Sequence, residues 1–306
     1  MKKISAILLF CATVLSAASP GTTGFQFLRS QVGARPTGMA GAFVSVSNDV
    51  NSLYYNPAGI TTFTERTGNF TYLNHLLDFN SGFIGAVVPK LGPGNAGFAI
   101  YYMDYGNFTK TDVNGENMGE FGANSIAISG SYAYEFYKNL YAGASAKYIR
   151  AAIDNYAADA LAVDLGVQYY IPAQELTVAA SVNNLGKAIS AFVAEKDDLP
   201  MSIRFGLSKK LAHLPLLLGF NVYKFKNENW YGALGGEFML SENLSLRLGY
   251  DTVGKDMDTD LGSSKDRLAG AAIGLGIRVK DIDIDYSFSS FGEIGALNRF
   301  SLSSQF

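Results

Sequence analysis

The sequence predicts an all-β protein: a 14-stranded antiparallel transmembrane β-barrel with an N-terminal segment folded into its lumen. Three observations lead there. Apolar side chains alternate with small or polar ones in segment after segment. Glycine and aromatic residues abound without a long apolar run, and the chain opens on an export leader.

The alternation is strict. In Met201-Ser202-Ile203-Arg204-Phe205-Gly206-Leu207-Ser208 every odd position is apolar and every even one is small or polar. Leu161 to Tyr169, Leu244 to Asp251 and Ile282 to Ser289 repeat the pattern. A period of two puts one face of a strand in apolar surroundings and the other in polar ones. Fourteen such segments are predicted, at 66–75, 79–88, 95–106, 122–135, 140–151, 159–171, 175–184, 199–209, 214–224, 229–240, 243–252, 266–279, 281–290 and 297–306. The even number suits a single-chain bacterial barrel and returns both ends to one side.

Connection lengths test that count. Those after even strands are short: Lys90 to Gly94, Phe136 to Asn139, Pro172 to Gln174, Lys210 to His213, Ser241-Glu242 and Lys280. Thr109 to Phe121, Gly186 to Asp198 and Val253 to Lys265 read as longer polar loops, although Leu76-Leu77-Asp78 breaks the pattern. Short periplasmic turns opposite longer outer loops are the expected asymmetry. A soluble sandwich would also alternate, but its polar face would carry Lys, Glu and Thr. Here that face carries Gly166, Gly206, Gly235, Gly249, Gly274 and Gly276.

Composition agrees. Hydrophobic residues make up 48%, yet no apolar stretch of about 18 residues follows the leader, which argues against membrane helices. There are 33 glycines, 18 tyrosines and 21 phenylalanines against 8 prolines, and Trp230, Tyr231 and Tyr250 fit an interfacial girdle. The leader reads Met1-Lys2-Lys3, an apolar stretch to Leu15, then Ser16-Ala17-Ala18 before a cut. Cys11 raises a lipoprotein alternative, but Phe10 before it is a poor lipobox residue. It is the only cysteine, so the exported chain carries no disulfide or thiol chemistry. Without Lys2 and Lys3 the chain holds 22 basic against 27 acidic residues, a formal charge of −5 that disfavours nucleic acid. The organisation is therefore a signal peptide at 1–18, an inner hatch or plug at 19–64, and the barrel at 65–306. The expected location is a Gram-negative outer membrane with both termini periplasmic.

Residues 19–64 do not alternate. Val32 to Phe43 is rich in small residues, Asn48 to Tyr55 could form a short capped helix, and Asn56-Pro57-Ala58-Gly59 reads as a turn. A 14-stranded lumen is wider than its own side chains fill, and inward glycines leave space for such a plug. Gly33-Ala34-Arg35-Pro36-Thr37-Gly38-Met39-Ala40-Gly41-Ala42-Phe43-Val44, with Asn48 to Tyr55 and then Asn56-Pro57-Ala58-Gly59, resembles the PorV/PorQ family. That family belongs with the FadL-type transporters, which share the Asn-Pro-Ala element after a hatch. The resemblance implies a 14-stranded barrel with the hatch inside. For FadL relatives it implies inward passage of fatty acids and other hydrophobic molecules. For PorV relatives it implies reception of exported proteins in type IX secretion. The short outer connections depart from FadL proteins, whose long loops build a ligand-capturing groove. They lean the resemblance toward the PorV/PorQ side and put a high-affinity lipid site in doubt.

Inward charges follow from the alternation: Lys147, Arg204, Arg247, Arg278 and Arg299 against Asp164, Glu237, Asp251, Asp283 and Asp285. They could line a polar track. Pairing that braces wall and plug is the preferred reading, because unpaired charges in a narrow lumen are expensive. Arg299 to Phe306 is an alternating strand ending in an aromatic residue, and Phe306 resembles the signal read by the outer-membrane assembly machinery. Asp256-Met257-Asp258-Thr259-Asp260 resembles the start of a calcium loop, but Leu261 replaces the required glycine and Arg267 the bidentate Glu. His75 and His213 lack a nucleophile motif beside them. No catalytic residue, metal site or cofactor is expected. Partners are outer-membrane lipid, the assembly machinery, and either a hydrophobic small molecule or a secreted protein. Passage predicts an apolar pocket between hatch and wall with a lateral opening. Partner binding predicts a sealed wall with an exposed apolar rim.

Overall fold

Side chains that a soluble protein would hide are on the outside here. Along the eighth strand Ile203, Phe205 and Leu207 are exposed, while Ser202, Arg204 and Ser208 between them are buried. This inversion runs around a sheet that closes on itself. Only closure leaves no unpaired edge within hydrocarbon. The computed structural model describes residues 23–75, 79–257 and 266–306. The leader, Leu76-Leu77-Asp78, and Asp258-Thr259-Asp260 of the calcium-like loop lie outside these residues.

The strands are β1 (Thr67–Asn74), β2 (Asn80–Leu91), β3 (Gly94–Thr111), β4 (Asn117–Tyr137) and β5 (Leu140–Ile153). Then come β6 (Tyr156–Ile171), β7 (Leu176–Ala188), β8 (Ser202–Lys210), β9 (Leu216–Phe225) and β10 (Trp230–Ser241). The set ends with β11 (Leu244–Asp251), β12 (Ala271–Val279), β13 (Ile282–Ser290) and β14 (Ala296–Gln305). Each pairs antiparallel with its sequence neighbours, and β1 pairs with β14 from Thr67↔Gln305 to Asn74↔Asn298. The wall is a closed 14-stranded antiparallel barrel.

Several boundaries differ from the sequence reading. Thr109 to Phe121, read as a loop, is mostly strand. β3 and β4 remain paired from Asn107↔Gly122 to Thr111↔Asn117. β2 stops pairing at Asn80↔Asp104 and β5 at Ala123↔Ile153. The tip is thus a two-stranded ribbon standing beyond its neighbours. β7 continues through Gly186, placed in a loop by sequence, to Ala188. β12 begins at Ala271, because Asp266–Leu268 coils into a 3-10 turn. The girdle assignment of Tyr231 is also corrected. Trp230 and Tyr250 are exposed, but Tyr231 is buried, since consecutive strand residues point to opposite faces.

The N-terminal segment lies within this wall. It carries helix α1 (Ala34–Gly38), helix α2 (Ser52–Tyr55) and a 3-10 turn, Pro57–Thr62, capped by Asn56, whose Oδ1 accepts from the Ala58 amide. Met39, Phe43, Leu53, Tyr55 and Ile60 are among its fully buried side chains. The wall gives way where the segment approaches. A Cβ on Gly166 would overlap Oδ1 of Asn56, and one on Gly235 or Gly249 would overlap the Met39 backbone. At the short-turn end, the Asn95 amide donates to the carbonyls of Ile60, Thr61 and Phe63 at 2.8, 2.9 and 3.0 Å.

Thr23 bridges to Asp198 in the β7–β8 connection, and Arg29 pairs with Glu228 before β10 at 2.7 Å. Both contacts are at the long-connection end. Phe306 is at the other end, where its amide donates to the Arg66 carbonyl. β1 starts and β14 finishes at the short-turn end, as an even strand count requires. The N-terminal segment carries the chain through the lumen, so Thr23 lies at the long-connection end and Phe306 at the short-turn end.

Gly166→Val should therefore destabilise the barrel by about 1–3 kcal/mol through overpacking. Gly130→Val faces open space on the exterior and should change stability by less than about 0.5 kcal/mol. Gel-mobility melting in detergent compares them, and equal midpoints would refute the close fit of segment and wall.

Candidate functional site

The N-terminal segment divides the lumen. Toward the long connections it leaves an outer cavity of about 530 Å³, and toward the short turns an inner cavity of about 970 Å³. A third concavity, about 550 Å³ between Tyr132, Tyr134 and Phe205, lies on the lipid-facing side of the wall. It is an indentation of the exterior and touches neither interior space.

Most inward charges are paired. Arg35 on α1 grips Glu237 of β10 with two donors, Nη2 at 2.6 and Nε at 2.9 Å, and reaches Asp49 at 3.0 Å. Arg247 of β11 donates to the same Glu237 at 2.7 Å and to Asp285 of β13 at 2.5 Å. A Cβ on Gly276 would collide with this Arg247–Asp285 pair. Lys147 meets Asp164 at 2.7 Å and Asn184 at 2.9 Å, all buried. The Asn184 backbone N–H also donates to Asp164, which pins the register shift between β6 and β7. Arg278 and Asp283 pair at 2.6 Å, but at the open mouth of the inner cavity, where both are well exposed.

Arg204 and Arg299 are the exceptions. Both are buried, both line the outer cavity, and among the described residues neither forms an ion pair. Arg204 donates from Nε to Ser202 at 3.2 Å, with its guanidinium carbon 5.3 Å from the ring centre of Tyr223 and 5.6 Å from that of Phe225. Arg299 donates to the Gln31 carbonyl and to Ser289, each at 3.2 Å. Asp251 is the acid on this cavity. Its oxygens accept from Tyr223 at 2.7 Å and from the Val253 amide at 3.0 Å. Two cations against one committed anion leave the cavity electropositive. Phe27, Met103, Tyr105, Phe225 and Leu297 supply its apolar surface. The sequence placed Arg204 and Arg299 inward, but nothing in the alternation marked them as sharing one cavity.

The remaining candidates distribute around these spaces. Gly33 (φ 79°) and Gly41 (φ 75°) flank α1 in the left-handed region, which glycine adopts without strain. Gly38 packs on Gly274, and Met39 on Gly235 and Gly249. Asn56 anchors the other half of the segment, donating to the carbonyls of Val44 and Val167 at 2.9 and 3.3 Å. Pro57 and Ala58 lie against Gly143, and Gly59 against Ser52. Phe306 is exposed at the short-turn rim. Asp256 of the calcium-like stretch accepts from the Tyr231 hydroxyl.

His75 meets a hydroxyl that its sequence neighbours did not reveal: Nε2 lies 2.9 Å from Oγ of Ser81. Ser81 is buried on β2 and His75 borders the outer cavity, so the contact ties the end of β1 to β2 at that cavity's edge.

No protein-family model matches the sequence, and no curated protein matches it. Solved structures do match in fold. The Ralstonia pickettii toluene transporter TbuX aligns with a TM-score of 0.61 at 12% identity over 90% of this chain and 98% of its own. The P. putida toluene transporter TodX gives 0.60 at 12% identity, over 90% and 98%. A Pseudomonas aeruginosa FadL homologue gives 0.55 at 13%, over the same shares. The fold is that of the FadL-type transporters. TbuX and TodX are described as transporters rather than enzymes, and at these identities the likeness is one of architecture.

Burial, with Arg299 nearby, lowers the His75 pKa from 6.5 to about 4. The native state thus keeps His75 neutral at pH values where the unfolded chain takes up a proton. Its contribution to stability is complete above pH 6.5 and is lost as the pH falls toward 4. Urea unfolding in detergent should show a greater loss from pH 7 to 5 for the unaltered protein than for His75→Gln. Equal losses would contradict this.

Proposed function

We propose that the protein is a passive outer-membrane passage of FadL type for long-chain fatty acids or similar hydrophobic molecules, with the outer cavity as its binding site. One observation carries the reading: two buried arginines that form no ion pair border a cavity whose lining also holds Phe27, Met103, Tyr105, Phe225 and Leu297. Charges held in low dielectric without counterions are costly. An acid head group would supply the missing anion, while an apolar tail would cover Phe27, Met103 and Leu297. The cavity volume falls within the ordinary range of ligand sites. The transporter barrels that share the fold support passage as the class of function. The apolar exterior belt supports an outer-membrane location, with lipid and the barrel assembly machinery as partners and Phe306 as the assembly signal.

A PorV/PorQ-like role in type IX secretion is the second reading. It draws on the continuous wall and on the β3–β4 ribbon, whose Val113 and Met118 are exposed at the outer rim. Nothing in the fold relatives favours it.

Calorimetric titration of the purified protein with oleate and with methyl oleate tests the first reading. Oleate should bind more tightly. Arg204→Leu and Arg299→Leu should each weaken oleate by roughly 10- to 100-fold, the worth of a charge-assisted hydrogen bond, and leave the ester unchanged. Equal affinities for acid and ester would remove the role given to the arginines. Binding of neither would remove the passage reading, and a co-purifying exported protein would then favour secretion.

A further inference from the structure

The lipid-facing wall is hollowed between two aromatic margins. Tyr132 and Tyr134 on β4 and Phe205 on β8 all point outward and are exposed. Cross-strand register joins the two sides: Tyr134 lies opposite Ala142, Ala142 opposite Val167, Val167 opposite Ala180, and Ala180 opposite Phe205. One row higher, Tyr132 lies opposite Ala144. Aromatic side chains therefore stand at both ends of four strand steps, about 19 Å along the wall. The alanine methyls between them leave the exterior basin of about 550 Å³.

The basin is closed behind. Gly143 and Gly166 belong to its floor, and a Cβ on either would meet Pro57 or Asn56 on the inner side. A molecule held here lies against an unbroken wall, apart from both lumen cavities.

Depth in the membrane narrows the choice of occupant. Tyr134 is three residues from Tyr137, the last of β4, and Ala142 is two from Leu140, the first of β5. Both flank a short turn, and short turns face the periplasm in barrels of this type. The basin therefore meets acyl chains of the periplasmic leaflet. On β8 the outward face continues past Phe205 through Leu207 to Lys209, four residues and about 13 Å nearer the short turns. Lys209 is exposed, and among the described residues it forms no ion pair. Lys210 ends the strand, so the Lys209 ammonium reaches headgroup depth while its stem lies along apolar surface.

Lipid tails are as apolar as the wall, so burial alone retains nothing here. Retention requires packing contacts within a concave surface and a fixed charge that pairs with a headgroup. A second copy of the chain does not suit the basin. A twofold contact sets one patch against itself, and two facing hollows would leave a void that close packing disfavours.

We infer that the basin is a phospholipid-binding site, with an acyl chain between Tyr134 and Phe205 and the phosphate on Lys209. It does not rest on the passage reading, whose cargo lies inside the lumen. Native mass spectrometry of the full chain, released from micelles containing phosphatidylglycerol or diacylglycerol with the same chains, tests it. Phosphatidylglycerol should give one retained adduct. Ala180→Trp, which fills the basin, should cut that adduct at least tenfold, whereas Leu302→Trp on the exterior of β14 should leave it unchanged. Heat-modifiable gel mobility checks folding, and if Ala180→Trp fails to fold, Phe205→Ala removes one margin to the same end. Lys209→Gln should weaken phosphatidylglycerol roughly fivefold, the worth of one cation beside an anionic headgroup, and leave diacylglycerol unaltered.

A broad series of adducts that neither basin variant changes overturns the site. Equal effects of Lys209→Gln on the two lipids overturn the phosphate contact. Loss of the adduct in Arg204→Leu places the lipid in the outer cavity and overturns the basin as its site. A dimer that Ala180→Trp dissociates puts a second copy there instead, and overturns it too.

Discussion

The architecture depends on how a 14-stranded lumen is filled. A barrel of this width encloses more space than its inward side chains can occupy, and close packing does not tolerate an empty interior. The N-terminal segment occupies the middle of that space, and inward glycines allow its backbone to lie against the wall. Gly166 admits Asn56, Gly235 and Gly249 admit Met39, and Gly274 admits Gly38. Each glycine gives up strand propensity for proximity. The gain is burial of Phe43, Leu53, Tyr55 and Ile60 in one cluster with Phe83, Val87 and Ile149 of the wall.

That filling is unequal, and the cavities follow from the inequality. Large apolar residues gather toward the early strands, where the Asn56 turn is fastened to β6 and Asn95 collects three carbonyls of the segment. Toward the late strands the segment thins to one short helix on serines and glycines. Space remains above and below it. The ion pairs of Arg35 and Arg247 lie beneath this helix, facing the larger and more polar cavity, where water tempers the cost of their burial.

How much of this was legible in the sequence depended on how local each signal is. Strand period is written in adjacent residues, so Ile203-Arg204-Phe205-Gly206 reveals two faces without knowledge of any partner. The β3–β4 tip escaped because the ribbon rises past its neighbours. Water meets both of its faces, and Lys110, Asp112, Glu116 and Glu120 then read as a loop. Tyr231 was misassigned because composition suggested a girdle that strict alternation forbids beside Trp230. The cavities lay further from reach. Whether Arg247 pairs with Asp285 while Arg204 forms no ion pair depends on contacts across strands and on the path of the N-terminal segment. A linear pattern does not encode either one locally.

The contrast between those arginines bears most directly on function. Stability alone gives no reason to bury Arg204 and Arg299 without carboxylates, since apolar residues of similar volume would usually be neutral or stabilising in their place. A general tolerance of charge in the lumen does not explain them either, because Lys147, Arg35 and Arg247 are each matched to an acid. The unmatched pair is confined to the cavity with the aromatic lining, and the one acid there is committed to Tyr223 and Val253. A cost localised to one space, beside networks that avoid the same cost nearby, is what a site for an anionic group requires. The closed sheet can carry such a cost because its hydrogen bonds run unbroken around the barrel.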